Sequence, residues 1–178
     1  MTRSSASYFL VSERLGFRHW TVDDSALAMA LWGDTRVTRM ISREPWTEDD
    51  VRRRLATEIE TQERHGIQYW PIFELATGDF VGCCGIRPHD DIHEVGIHLL
   101  HSRWGNGYAD EATRAAVAYA FERIGVVALY AGHNPANEGS RHILRKAGFR
   151  YTHDVLYPPT GLLHPSYLMT REEYFSMH

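Results

Sequence analysis

The chain has 178 residues, 43% hydrophobic and 24% charged, and its 19 basic and 23 acidic side chains give a formal charge of −4. That balance excludes a disordered chain, a collagen-like fibre and a disulfide scaffold, and the length fits a single domain spanning residues 1–178. A slightly acidic chain is a poor general binder of nucleic acid and carries no membrane-surface signal, whereas it mildly favours cationic partners such as amines.

Residues 1–8 are small and polar and read as a loose tail. The start has one early Arg and no long apolar core, so no signal peptide is expected, and no apolar run reaches the length of a membrane span. Phe9 to Arg18 reads as a first strand. Thr21 to Asp24 caps a helix from Ser25 to Trp32. Thr47 to Asp50 caps a second, from about Val51 to His65, with Gly66 closing it. Gln68 to Leu75 and Asp79 to Arg87 flank Thr77-Gly78 as a hairpin, and Ile92 to Leu100 follows a turn at His89-Asp90-Asp91. Cys83 and Cys84 lie inside an apolar strand and read as buried thiols of a reducing cytoplasm. Ala109, Ala112, Ala116 and Ala120 share one face of a long helix that ends at Gly125. Val126 to His133 is a strand, Asn137 to Ala147 a helix closed by Gly148, and Phe149 to Tyr157 pairs with Ser166 to Thr170. The order predicts an α+β fold of three layers, α/β/α, around a mixed, mainly antiparallel sheet of seven strands.

The informative segment runs from Ile97 through Trp104-Gly105-Asn106-Gly107-Tyr108-Ala109 to Ala112, a strand entering two glycines with a helix immediately after. Glycines let backbone N–H groups turn inward, and a helix start adds unpaired donors and partial positive charge. Together they form an anion cradle suited to phosphate. By spacing alone it is equally a plain turn. A dinucleotide fingerprint needs a small residue where Asp110 stands, and a Walker loop needs Gly-Lys-Ser/Thr, which is absent.

Trp104-Gly105-Asn106-Gly107-Tyr108-Ala109-Asp110-Glu111-Ala112 resembles the acyl-CoA signature of the GNAT N-acetyltransferases, with the ribosomal-protein N-terminal acetyltransferase branch the nearest in appearance. Three further stretches match in order: Glu13 to Arg18, Glu94-Val95-Gly96, and Asn137-Glu138-Gly139-Ser140 followed by Leu144 to Phe149. The resemblance implies a cytoplasmic transferase that moves an acetyl group from acetyl-CoA directly to a primary amine, on a small molecule or a protein N-terminus. Relatives are commonly dimers. No metal is expected, because neither histidine pair, His89 with His93 or His98 with His101, has a third ligand at metal spacing. The pantetheine arm would lie along Ile97 and Leu99, the pyrophosphate on amides from Trp104 through Gly105, Asn106, Gly107 and Tyr108 to Ala109, and Asn137 would hold the arm. Arg141, Arg145 and Lys146 are further candidates for the ribose phosphate.

The Tyr that many members place seven positions after the Asn falls at Leu144, and a Glu five positions before it falls at Gly132. The resemblance leaves Ser140 as the candidate acid for the departing thiolate, and Glu94 or His93 as the candidate base. His164 and Trp46 are the expected acceptor contacts; Trp46 and Trp70 are both large enough to shape that pocket, and both equally suit core packing. The two vacant positions also admit a second function, a catalytically weak acyl-CoA-binding sensor or scaffold.

Overall fold

The computed structural model describes residues 7–178, so the expected tail at residues 1–8 lies outside it apart from Ser7 and Tyr8. The expected strand from Phe9 to Arg18 is instead a tight hairpin of β1 (Leu10–Val11) and β2 (Leu15–Phe17). The Ser12 N–H donates to the Leu15 carbonyl at 2.8 Å and turns the chain there. Helix α1 (Ser25–Trp32) follows, then α2 (Thr35–Thr38), a single turn too short to leave a periodic signal. Helix α3 (Glu48–His65) opens on a capping box, in which Thr47 and Asp50 each bond the other's backbone N–H. Strands β3 (Tyr69–Glu74), β4 (Phe80–His89) and β5 (Ile92–Leu99) form an antiparallel meander. Helix α4 (Tyr108–Tyr119) runs into one wider turn and stops at Gly125. Then come β6 (Ala128–Gly132), α5 (Glu138–Ala147), β7 (Arg150–Tyr157) and β8 (Leu162–Thr170). A last helix, α6 (Arg171–Met177), has no counterpart in the elements expected from the sequence, although Thr170 and Glu173 form a further capping box.

The strands make one sheet in the order β1-β2-β3-β4-β5-β6-β8-β7, so the count is eight rather than seven because the first strand is split. Helices cover both faces. Ala112 and Ala116 of α4, with Ala120 of the wider turn that follows, are fully buried and pack with Cys84, Ile86, Val95 and Leu129. Leu31 and Trp32 of α1 and Val51 and Leu55 of α3 pack with Tyr69 and Cys83 on the other face. The neighbouring thiols Cys83 and Cys84 thus belong to different clusters, as alternation along a strand requires, and both are free and buried.

One local departure from regular pairing matters most. Strands β4 and β5 pair along their whole length, but β5 and β6 run parallel and pair only at His93↔Leu129 and Glu94↔Tyr130. Beyond Glu94 the two strands part. The Leu100 N–H donates to the Val81 carbonyl, so alternate residues of β5 bond to β4. The backbone groups of the residues between them and beyond the last β6 pair, Ile97 and Leu99, therefore face the gap.

Candidate active site

The gap opens into a cleft of about 880 Å³, bounded by β5, β6, the start of α4 and the start of α5. At one end the loop Trp104 to Gly107 enters α4. Gly105 and Gly107 have φ of +75° and +78°, a left-handed backbone that side chains with a Cβ rarely adopt. Neither is there for room alone: a Cβ at Gly105 would meet nothing within 4 Å, and one at Gly107 would meet only the tip of Arg14 at 3.4 Å. The glycines fix the direction of the peptide planes. The N–H groups of Gly105 to Asp110 have no acceptor among the described residues. The Asn106 carbonyl points away and accepts from Arg14 Nη1 at 2.9 Å, while the Asn106 side chain bonds back to the Arg103 and Trp104 carbonyls.

Arg14 and Glu111 hold this loop from behind. Glu111 accepts from Ser12 Oγ at 2.6 Å and from the Arg14 N–H and Nε at 2.7 Å each. Burial pushes the Glu111 carboxyl up, but these bonds outweigh it and hold it below the ordinary range. Glu111 is thereby turned from the cradle, and Asp110 is paired with Lys146 at 2.9 Å and Arg114 at 3.3 Å. Tyr108 donates to Glu74 at 2.7 Å beneath the loop. Trp104 is 43% exposed and lines the cleft, and its indole N–H donates to the Leu99 carbonyl at 3.1 Å. Leu99 therefore offers an arm its N–H, whereas Ile97 offers both main-chain groups.

Across the gap, Asn137 lines the cleft and its side-chain oxygen caps α5 by accepting the Ser140 N–H at 3.0 Å, leaving its NH₂ without a partner among the described residues. Ser140 also lines the cleft, and its hydroxyl has no partner among the described residues. Leu144 is buried beneath them. Of the three basic candidates on α5, Lys146 lines the cleft; Arg141 is exposed and pairs with Glu138 at 3.5 Å, and Arg145 is exposed outside it.

The other end of the cleft carries Glu94, Arg87, Tyr69, Arg54 and His98. Glu94 sits opposite Arg87 in the β4–β5 register, bonded to it at 3.2 and 3.3 Å, and accepts from the Tyr69 hydroxyl at 3.3 Å. Gly96 makes this possible, because a Cβ there would lie 2.3 Å from the Tyr69 ring. His93 alternates to the other side of β5 and does not line the cleft; its Nδ1 is buried without a partner among the described residues. His164 lines the cleft, with Nε2 2.8 Å from Thr160 Oγ1 and its ring beside Tyr157. Burial, and then His133, lower its pKa. Trp46 also lines the cleft, whereas Trp70 is core, its indole bonded to Gln62 at 3.1 Å.

Arg87, Arg54 and Tyr69 were not foreseen. Arg87 was readable: the turn at Asp90-Asp91 sets a pairing that places 87 opposite 94. Arg54 sits in an arginine run, Arg52-Arg53-Arg54, and only the helix phase distinguishes the inward member.

A row of unpaired amides at a helix start suits a pyrophosphate, and an unpaired strand edge suits an extended arm with its own amides; the donors present fit coenzyme A. Residues 14–150 match the family described as "Acetyltransferase (GNAT) domain". The protein YkkB of Bacillus subtilis (strain 168) is 32% identical over 98 residues, a stretch covering 53% of this chain and 57% of that relative's length. The N-acetyltransferase p20 of Bacillus licheniformis is 26% identical over 145 residues, covering 79% of this chain and 82% of its own. A GNAT-family acetyltransferase crystal structure from Bacillus anthracis superposes with a TM-score of 0.79 at 20% identity, covering 92% of this chain and 99% of that one. With a family match spanning most of its length and a sheet that opens between β5 and β6 beside a glycine-turned helix start, the chain belongs to the GNAT acetyltransferase family.

Proposed function

We propose that the chain is an acetyl-CoA-dependent N-acetyltransferase that passes the acetyl group directly to a primary amine held in the same cleft. One observation carries this reading: the unpaired edge of β5 leads straight into the unpaired amides of Gly105 to Asp110. When bound, acetyl-CoA supplies an activated acyl thioester. The chain's own residues then have three tasks. The N–H groups of Ile97 and Leu99, which β4 and β6 leave unpaired, are the donors proposed for a carbonyl oxygen gaining negative charge. Ser140 gives a proton to the departing thiolate; its position in the cleft lining supports this, and Leu144 has no proton to give. Glu94 is the carboxylate placed to attract the ammonium and pass its proton to water.

Glu94 works in company, because Arg87 and Tyr69 already occupy part of its capacity. His93, outside the cleft lining, would need to act at a distance. The vacant Tyr and Glu positions at Leu144 and Gly132 support the second reading, a binding module with weak turnover. Turnover decides between them. Thiol release measured with acetyl-CoA and a panel of amines, with the acetylated acceptor identified by mass spectrometry, should show acceptor-dependent release. Binding of coenzyme A without release from any acceptor would favour the binding module.

A further inference from the structure

The hydrogen-bonding groups left over at the Glu94 end of the cleft are donors. Arg54 has a side chain only 15% exposed, held by Nε to Glu58 Oε1 at 2.8 Å, and its guanidinium lies 5.1 Å from the Trp32 ring and 5.4 Å from the Tyr69 ring. Neither terminal nitrogen of Arg54 has an acceptor among the described residues, and one of them is closed from solvent. The Arg87 guanidinium lies 5.0 Å from the same Tyr69 ring. Two guanidiniums thus share one aromatic surface.

Both carboxylates of this cluster already hold partners, and only Glu94, which lines the cleft, keeps room for one further donor. Glu58 takes Arg54 on one oxygen and the Tyr69 backbone N–H, at 2.8 Å, on the other. Glu94 takes Arg87 on both oxygens and the Tyr69 hydroxyl on one, with His89 Nδ1 3.7 Å away. His98 adds another donor. The Trp32 indole can only donate, and it lies 3.0 Å from His98 Nδ1, so that nitrogen is an acceptor and the proton sits on Nε2. His98 lines the cleft on the same side of β5 as Glu94.

A polyamine offers donors alone, and both a polyamine and an aminoglycoside would meet Arg54 and Arg87 as like charges. A ligand complementary to this end carries oxygen acceptors with negative charge. Resting on the acetyltransferase reading above, we propose that the acceptor is an amine that also bears a carboxylate, a free amino acid, whose carboxylate binds Arg54 and the His98 Nε2–H while its amine meets Glu94. Trp46, Met40 and Val37, also in the cleft, supply an apolar wall for the side chain.

The test uses the common amino acids as free acids, each beside its primary amide, which mimics a protein N-terminus, with thiol release as readout. The free acid should exceed its amide in kcat/KM by at least about tenfold for the side chains accepted, because a site built around donors rejects a ligand lacking their partner. Arg54→Met should collapse that ratio toward one, chiefly by raising KM for the acids, and Arg54→Lys should restore part of it. The double variant Arg54→Met/Glu58→Gln repeats the measurement without stranding a buried carboxylate. Equal use of acids and amides by the parent, preference for amides, or a ratio unmoved by either variant would overturn the proposal. Should no acceptor react, the acetyltransferase reading fails, while thermal melts with the same acids still read the site. Stabilisation of the parent but not of the double variant would support the carboxylate site, and none in either would overturn it.

Discussion

Trp32 decides the state of His98, since an indole N–H can only donate and so holds Nδ1 as an acceptor. Burial first, then Arg54 and Arg87, take the His98 pKa down to about 3. Burial lowers His93, His133 and His164 in the same direction. The unfolded chain takes up these protons near the ordinary histidine value of about 6.5, and the folded chain resists them. Stability is therefore full above that value and is lost progressively as pH falls. Urea midpoints should decline between about pH 7 and pH 5, above the main carboxylate range, and His98→Asn should flatten the decline. An unchanged slope would show that His98 titrates alike in both states. At Gly107, φ of +78° makes a β-branched residue costly and would swing the peptide planes of the cradle. Gly107→Val should weaken coenzyme A binding at least tenfold, about 1.4 kcal/mol, by calorimetry on folded protein. Ser140→Ala should leave that affinity nearly unchanged and lower kcat by about 10²–10⁴-fold where chemistry is rate-limiting.

At the scale of elements, the β1–β2 hairpin acts as a brace. Ser12 and Arg14 reach Glu111 on the first turn of α4, and Arg14 continues to the Asn106 carbonyl, so the cradle's outward face is tied to the sheet's edge. Glu111→Gln weakens three bonds to a nearly buried carboxylate, a loss on the order of 1–3 kcal/mol. The melting temperature should fall and KM for acetyl-CoA should rise several-fold, with a smaller change in kcat. A fall in stability with KM untouched would show that the brace supports the fold alone. This linkage was half legible. The stretch Glu13 to Arg18 carried a resemblance, and its reading as one strand concealed the turn that aims Arg14 at α4. The long helices and the meander announced themselves through caps, glycine stops and alternation, as Thr47, Gly66 and Gly148 illustrate. The short elements did not: α2 is one turn, and α6 was hidden behind a strand end.

For the whole molecule, the cofactor end of the cleft was more readable than the acceptor end, and the physical reason is plain. The proposed pyrophosphate site is a run of backbone amides whose presence follows from two glycines and a helix start in one short stretch. The acceptor end is assembled from α3, β3, β4, β5 and β8, so Arg54, Tyr69, Arg87, Glu94, His98 and His164 meet only once the register is set. The net charge of −4 gave no hint of the guanidinium pair inside. The central claim is that the opening between β5 and β6 carries acetyl transfer from acetyl-CoA to an amine. Its most direct measurement is acceptor-dependent thiol release by the purified chain, run beside Gly107→Val and Ser140→Ala. The account predicts release by the parent, recovery of the Gly107→Val rate only at raised acetyl-CoA, and a low Ser140→Ala rate that raised acetyl-CoA does not rescue. Absence of release from the parent with every amine, or rates indifferent to both substitutions, would contradict it.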